Sequence, residues 1–204
     1  DLPLPAKLLT LPCVLANCES DGEKVASYIP DDEQGQYTAV RALLAEGYRR
    51  PLCLHLPEGH LATTRRRQGL ERACREAGLD PDSLEHCYMA LGDEHYRDIP
   101  AVLLAHMQNG IPRFDAVICG NDRIAFMVYQ TLLGQGLRIP DDVAVIGYDN
   151  MVGIGELFLP PLTTVQLPHY EIGRLSALHI INGEEHQETT RVESPFLLRD
   201  SVAQ

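Results

Sequence analysis

The chain reads as an α/β protein built on parallel sheets, and three neighbouring stretches predict this. Asp115 to Cys119 is a short apolar run of the kind that forms a strand buried on both faces, and it stops at Gly120. Ile124, Val128 and Leu132 then recur every fourth residue, an apolar helical stripe closed by Gly134 and Gly136. Val143 to Ile146 is a second buried run, a helix's length after the first, and strands so spaced pair in parallel through a crossover.

From the start of the chain, Asp1 to Leu11 is mixed and punctuated by proline, and Cys13 to Asn17 reads as a strand. Val25 to Ile29 is another short strand, ending in Pro30, Asp31 and Asp32. Val40, Leu43 and Leu44 have helical spacing with Gly47 as the C-terminal cap, and Leu52 to Leu56 is the next strand. The most basic patch lies between Gly59 and Gly78. There Leu70, Ala73 and Ala77 fall at helical spacing beside Arg67, Arg72 and Arg75, so most of these charges coat a solvated helix face. Leu84 to Leu91 is a strand, followed by a loop and a helix in GDEHYRDIPAVLLAHM. Beyond Thr163 to Gln166, Pro168 starts a helix that runs to Asn182 and Gly183, with Ile172, Leu175 and His179 on one side.

In open parallel sheets ligands bind beyond the carboxyl ends of the strands, where loops and helix N-termini direct polar groups into one crevice. Asn121 and Asp149 both fall at such ends. An amide offers a donor and an acceptor and a carboxylate offers acceptors, a pair suited to hydroxyl-rich ligands. The local alternative is that Asn121 or Asp122 caps the helix and Asp149 shapes a turn.

Composition narrows the function classes. Lys and Arg number 17 against 29 Asp and Glu, a net charge of -12 that repels phosphate backbones, so the chain is not expected to bind DNA by itself. The six cysteines form no C-x-x-C pair and sit mostly in apolar patterns, as small buried hydrophobes in a reducing compartment do. No apolar run reaches the roughly 18 residues of a membrane span, and the start lacks the basic segment of a signal peptide, which points to the cytoplasm. His60 and His95 invite a metal reading, but no two histidines have ligand spacing on one helix, and no metal is expected.

GND followed by a helix, then GLRIPDDVAVIGYDN, then PPLTT, together resemble the effector-binding core of the lactose-repressor and galactose-repressor (LacI/GalR) family of bacterial transcription regulators. The resemblance covers about fifty contiguous residues. It implies a periplasmic-binding-protein-like type I fold, two Rossmann-like lobes with parallel sheets. It also implies a chain truncated at its N-terminus, with the first lobe incomplete and the helix-turn-helix DNA-binding domain absent. On that alignment residues 1–57 and 168–186 form the partial N-terminal lobe, and 58–167 and 187–204 the C-terminal lobe.

The same resemblance assigns residues. Arg66 stands three residues before Gly69, the spacing at which the family carries an arginine that reaches into the cleft and binds ligand oxygens with its planar donor fork. Arg65 and Arg67 are left to the surface. Tyr96 takes the place of a family aromatic that stacks on the ligand, with Tyr88 and His95 as rivals. Where many members have a glutamine after the crossover this chain has Leu167, and an extended segment turns Gln166 the other way. Met127, Tyr129, Ile154 and Leu157 are candidates for the apolar seam of a homodimer, the alternative being that they pack inside the lobe.

The function implied is the effector-binding and dimerising core of a LacI-type repressor. A small sugar or sugar derivative binds between lobes and alters operator affinity through the absent DNA-binding domain, with no cofactor and no membrane partner. The alternative is a periplasmic-type sugar-binding protein of a transport system. An enzyme is disfavoured, since G-x-S-x-G, a Walker loop and a dinucleotide fingerprint are missing, and Asp115, Asp122 and Asp149 have no visible nucleophile or paired base.

Overall fold

The computed structural model describes residues 3–22 and 24–203. In chain order the elements are β1 (Val14–Ala16), β2 (Ala26–Pro30), α1 (Asp32–Ala45), β3 (Pro51–His55), α2 (Leu61–Glu76), β4 (Glu85–Tyr88), α3 (Ile99–Ala105), β5 (Met107–Gln108), β6 (Ile111–Pro112), β7 (Ala116–Cys119), α4 (Asp122–Gly134), β8 (Ala144–Ile146), β9 (Thr164–Val165), α5 (His169–Asn182), β10 (Thr189–Val192) and β11 (Phe196–Leu197). They divide into two compact units. The first combines the residues up to Asp31 with Leu167–Pro195, and the second combines Asp32–Gln166 with the segment from Phe196 onward.

The first unit is a parallel sheet in the order β1-β2-β10, with Ala26 opposite Val14 and Thr189 opposite Ser27. The central strand is buried from Ala26 to Ile29, as expected of a strand covered on both faces. Helix α5 packs on β1 and β2, and Tyr28, Ile172 and Val192 form the core between them.

The second unit is built on a four-stranded parallel sheet in the order β4-β3-β7-β8, with β5 and β6 as a separate antiparallel pair. Alternation along the strands sends Leu52, Leu54, Val117, Cys119 and Val145 to one face, where they meet Leu103, Ile124, Val128 and Leu132 of α3 and α4. Cys53, Ile118 and Ile146 are buried on the other face, beside the packed pair α1 and α2. All six cysteines are unpaired, and Cys53, Cys74 and Cys119 are buried.

The lobe boundaries read from the sequence need correction. The first unit ends at Asp31 and not at residue 57, because β3 takes its hydrogen bonds from β4 and β7, and α1 packs on α2. Residues 187–195 likewise belong with the first unit, since β10 pairs with β2. The closing stretch holds two strands. Glu193, Ser194 and Pro195 separate β10 from β11, which pairs antiparallel with β9.

Candidate functional site

The site is built within the second unit, at the carboxyl ends of β3, β7 and β8. Strand β7 ends at Gly120, and Asn121 is the N-cap of α4, its Oδ1 accepting from the Ile124 amide at 2.9 Å. Its Nδ2 donates to the Tyr96 hydroxyl at 2.6 Å. The capping reading of Asn121 therefore holds, and the other half of the same amide faces the half-buried tyrosine of the loop after β4.

Strand β8 runs into Gly147, Tyr148, Asp149 and Asn150. Asp149 has φ 113° and Asn150 φ 48°, left-handed values sparsely populated by residues with a Cβ. The Asp149 amide is held by the Val165 carbonyl at 2.8 Å. Asp122, one residue into α4, anchors the loop from below. Its carboxylate accepts from the Met151 amide at 2.9 Å and the Thr164 hydroxyl at 2.8 Å. A Cβ at Gly147 would lie 2.3 Å from that carboxylate, so only glycine leaves room for the anchor.

Arg66 crosses this floor from α2. Its Nε donates to Asp32 Oδ1 at 2.8 Å and its Nη1 to the Gly120 carbonyl at 2.6 Å, while its guanidinium carbon stands 3.5 Å from the Tyr148 ring centre. Its Nη2 points towards Asp149 Oδ1 at 3.9 Å, beyond hydrogen-bond distance. Arg66 and Asp32 are buried, with side chains 8% and 5% exposed, whereas 26% of the Asp149 side chain meets solvent. The unit thus presents one fixed cation and one partly open carboxylate side by side.

Burial pushes the Asp149 carboxyl up to about 7; Arg66 opposes the rise, and Asp122 and Asp32 add to it. Burial also raises Asp122, against the hydrogen bonds from Met151 and Thr164. An unfolded aspartate ionises near 3.8, so the folded state binds the extra proton between that value and about 7, and stability falls as pH rises through this window. Asp149→Asn removes the charge that the fold disfavours. In urea denaturation the variant is expected to exceed the parent by on the order of 1–2 kcal/mol at about pH 8, the difference closing towards about pH 4. Parallel profiles would show that Asp149 is as well solvated folded as unfolded.

The structure gathers the four predicted ligand residues within one unit as two linked pairs, Tyr96 with Asn121 and Arg66 with Asp149. The rivals of Tyr96 are otherwise engaged: Tyr88 stacks on His55 and accepts from Arg67, and His95 bonds Asp98 at 2.9 Å. Arg67 also pairs with Glu71 one turn on. Asp115, considered as an acid–base group, accepts from the Arg49 and Arg50 amides at 3.0 and 2.9 Å and fixes the entry to β3.

Three residues escaped sequence reasoning. Asp32 and Tyr148 hold Arg66 from below, and Gln166, which alternation had turned away, accepts from Asn150 Nδ2 at 3.3 Å beside Asp149. An aspartate pair opening a helix and a tyrosine in GYDN were the available signals; neither says which side chain it meets.

One dimer assignment is corrected. Tyr129 is 2% exposed, its ring 4.8 Å from that of Phe158 and its hydroxyl donating to the Pro160 carbonyl at 3.0 Å. It belongs to the core of its own unit and is not available to a partner. Met127 is half-buried, Ile154 is exposed and Leu157 is 75% exposed.

Potential metal ligands also come together where helix spacing had shown none. Cys53, His55 and His86 meet across β3 and β4, and His179, Glu184 and His186 meet at the end of α5. In the first trio burial and the neighbouring His86 depress the His55 imidazole to about 3, which keeps it neutral.

Comparison with known proteins gives this geometry a setting. Residues 1–200 match the family model described as periplasmic binding proteins and sugar binding domain of LacI family. The sucrose operon repressor of Escherichia coli is 55% identical over 201 residues, covering 98% of this chain and 61% of the repressor. The transcriptional repressor PurR of Vibrio vulnificus is 32% identical over 200 residues, covering 94% of this chain and 57% of that protein. The chain therefore spans less than two thirds of the length of either relative. Among solved structures, a LacI family transcriptional regulator from Enterococcus faecium with bound ribose superposes with a TM-score of 0.79 at 29% identity, covering 94% of this chain and 70% of the other.

Proposed function

Because this chain belongs to the family of periplasmic binding proteins and LacI-type sugar-binding domains, we propose that it is the effector-binding core of a LacI-type repressor and takes a small carbohydrate at the Arg66–Asp149 pair. The observation that carries the reading is the 3.9 Å separation of Arg66 Nη2 from Asp149 Oδ1, with the guanidinium fixed by Asp32 and Tyr148. A hydroxyl oxygen about 2.8 Å from each accepts from the cation and donates to the carboxylate. Asn121, Tyr96, Asn150 and Gln166 supply further donors and acceptors nearby. The ribose in the Enterococcus faecium neighbour and the name of the sucrose operon relative both favour a carbohydrate.

Sugar binding then favours one conformational state of the regulator, and the differential affinity of the sugar for the two states sets how far operator affinity shifts. The operator is contacted by a separate DNA-binding domain; the acidic charge of this chain suits sensing and not DNA contact. A thermal-shift panel of pentoses, hexoses, disaccharides, sugar acids and sugar phosphates tests the reading. One carbohydrate class is expected to raise the melting temperature of the parent, and the shift is expected to shrink in both Arg66→Lys and Asp149→Asn. No shift with any carbohydrate would overturn the sugar assignment, and an undiminished shift in both variants would place the site elsewhere.

The regulator acts as a homodimer in this proposal, with Met127, Ile154 and Leu157 on the seam. Exposed leucine and isoleucine on one loop are the apolar surface that a partner would cover. Leu157→Glu is expected to convert dimers to monomers in sedimentation while leaving the fold intact, since the side chain has little to lose inside its own unit. An unchanged dimer would remove this loop from the interface.

A further inference from the structure

The most concentrated set of unassigned ligand atoms lies in the first unit, where the end of α5 turns back on itself. Gly183 closes the helix in the left-handed conformation, φ 63°, its amide donating to the Ile180 carbonyl, and the Glu184 amide donates to the His179 carbonyl at 3.0 Å. The reversal brings Glu184 and His186 back over His179, which stands in the last turn of the helix with only 5% of its surface exposed. Tyr28 reaches the same point from β2.

Four side-chain atoms converge there. Tyr28 Oη is 3.3 Å from His179 Nδ1 and 3.4 Å from His186 Nε2; Glu184 Oε2 is 3.1 Å from His186 Nε2 and 3.7 Å from His179 Nδ1. The two imidazoles stand edge to face with centres 4.7 Å apart, so their nitrogens aim inward from different directions. A tetrahedral ion with bonds of about 2.05 Å to nitrogen and oxygen requires ligand atoms about 3.3 Å apart along every edge. The four separations scatter around that value. Hydrogen bonding alone explains fewer of them. Shared protons can account for the three contacts of 3.1–3.4 Å, but Glu184 Oε2 at 3.7 Å from His179 Nδ1 lies beyond hydrogen-bond distance and yet points at the same centre.

We propose that His179, Glu184 and His186 form a binding site for a borderline divalent transition-metal ion, with Zn2+ as the reference, and that the Tyr28 hydroxyl faces its fourth position. Two imidazoles and one carboxylate select Zn2+ and its first-row neighbours over Mg2+ and Ca2+, which prefer all-oxygen shells. A cavity of about 720 Å3, lined by Gly22, Lys24, Gly183, Glu184 and His186 among others, adjoins the cluster and gives an ion a route in. The site uses none of the residues assigned to the carbohydrate, so either proposal stands if the other fails. Its motif, H-x4-E-x-H, straddles a helix terminus and is invisible to a search for two histidines on one helix.

The test is Zn2+ titration of the full chain, purified without a polyhistidine tag, in competition with a chromogenic chelator, together with the absorption spectrum of the Co2+-loaded protein. One ion per chain is expected, with the intense d–d bands of tetrahedral cobalt and a Zn2+-dependent rise in melting temperature. His186→Ala and Glu184→Gln change exposed side chains that the fold can spare, and circular dichroism verifies that they fold. Each is expected to weaken binding by about a hundredfold or more, beyond what loss of a supporting residue does. His86→Ala disrupts the other trio and is expected to leave binding unchanged. No binding by the parent, octahedral cobalt bands, or affinity retained in His186→Ala would each overturn the proposal, and affinity lost in His86→Ala would move the site to Cys53, His55 and His86.

Discussion

Arg66→Leu is expected to lower the stability of the protein by about 3–5 kcal/mol, the cost of leaving a buried charge without its partner. Asp32 is the charge left behind. Its side chain is 5% exposed and accepts a hydrogen bond from Arg66 Nε at 2.8 Å. The Gly120 carbonyl loses a donor and the Tyr148 ring loses the cation on its face. Guanidinium denaturation of the variant, of Asp32→Asn and of the double variant measures the coupling. The double variant is expected to recover part of the loss, because removing both charges is far less costly than removing one. A double variant whose loss equals the sum of the two single losses would mean that Asp32 and Arg66 do not depend on each other.

Gly69→Ala is expected to be nearly as damaging, at about 3 kcal/mol, the upper end of what an added methyl costs in a tight contact. A Cβ there would stand 2.1 Å from the Glu33 carbonyl oxygen and 2.9 Å from the Tyr37 amide nitrogen, so the first turn of α1 has to move away from α2. Asp32 is the residue next to Glu33, and the same displacement draws it off Arg66. The substitution is therefore expected to reduce the sugar-induced thermal shift as well as the denaturation midpoint, although Gly69 touches no ligand. A midpoint within error of the parent would show that the two helices separate at no cost.

These two predictions share a cause that explains why the spacing of Arg66 and Gly69 carries information. Residues three apart lie on one face of a helix, so the glycine that lets α1 approach and the arginine that meets its first turn belong to a single contact. The spacing was legible in the sequence as a family pattern; its partner, Asp32, was not. Asn121 and Asp149 were legible for a local reason, since a buried run ending in glycine announces a strand end, and strand ends in parallel sheets gather polar groups. Tyr129 was misplaced because α4 is apolar beyond one stripe. Phe126 and Leu133 are exposed on it while Val128, Tyr129 and Leu132 are buried, and residue type does not distinguish the two faces.

By itself the sequence determined the class of fold, the main strand and helix pattern, the strand-end location of the proposed site and the family to which the chain belongs. Each of these depends on residues close together in the chain, where periodicity and punctuation act directly. Tertiary structure alone decided where the two units divide, which acid holds Arg66, that Tyr129 is core, and that His179, Glu184 and His186 share a point with Tyr28. Those facts are set by strand order and by which helices pack together. An apolar strand carries the same pattern in either sheet, and a charged side chain carries no record of the partner that packing brings to it.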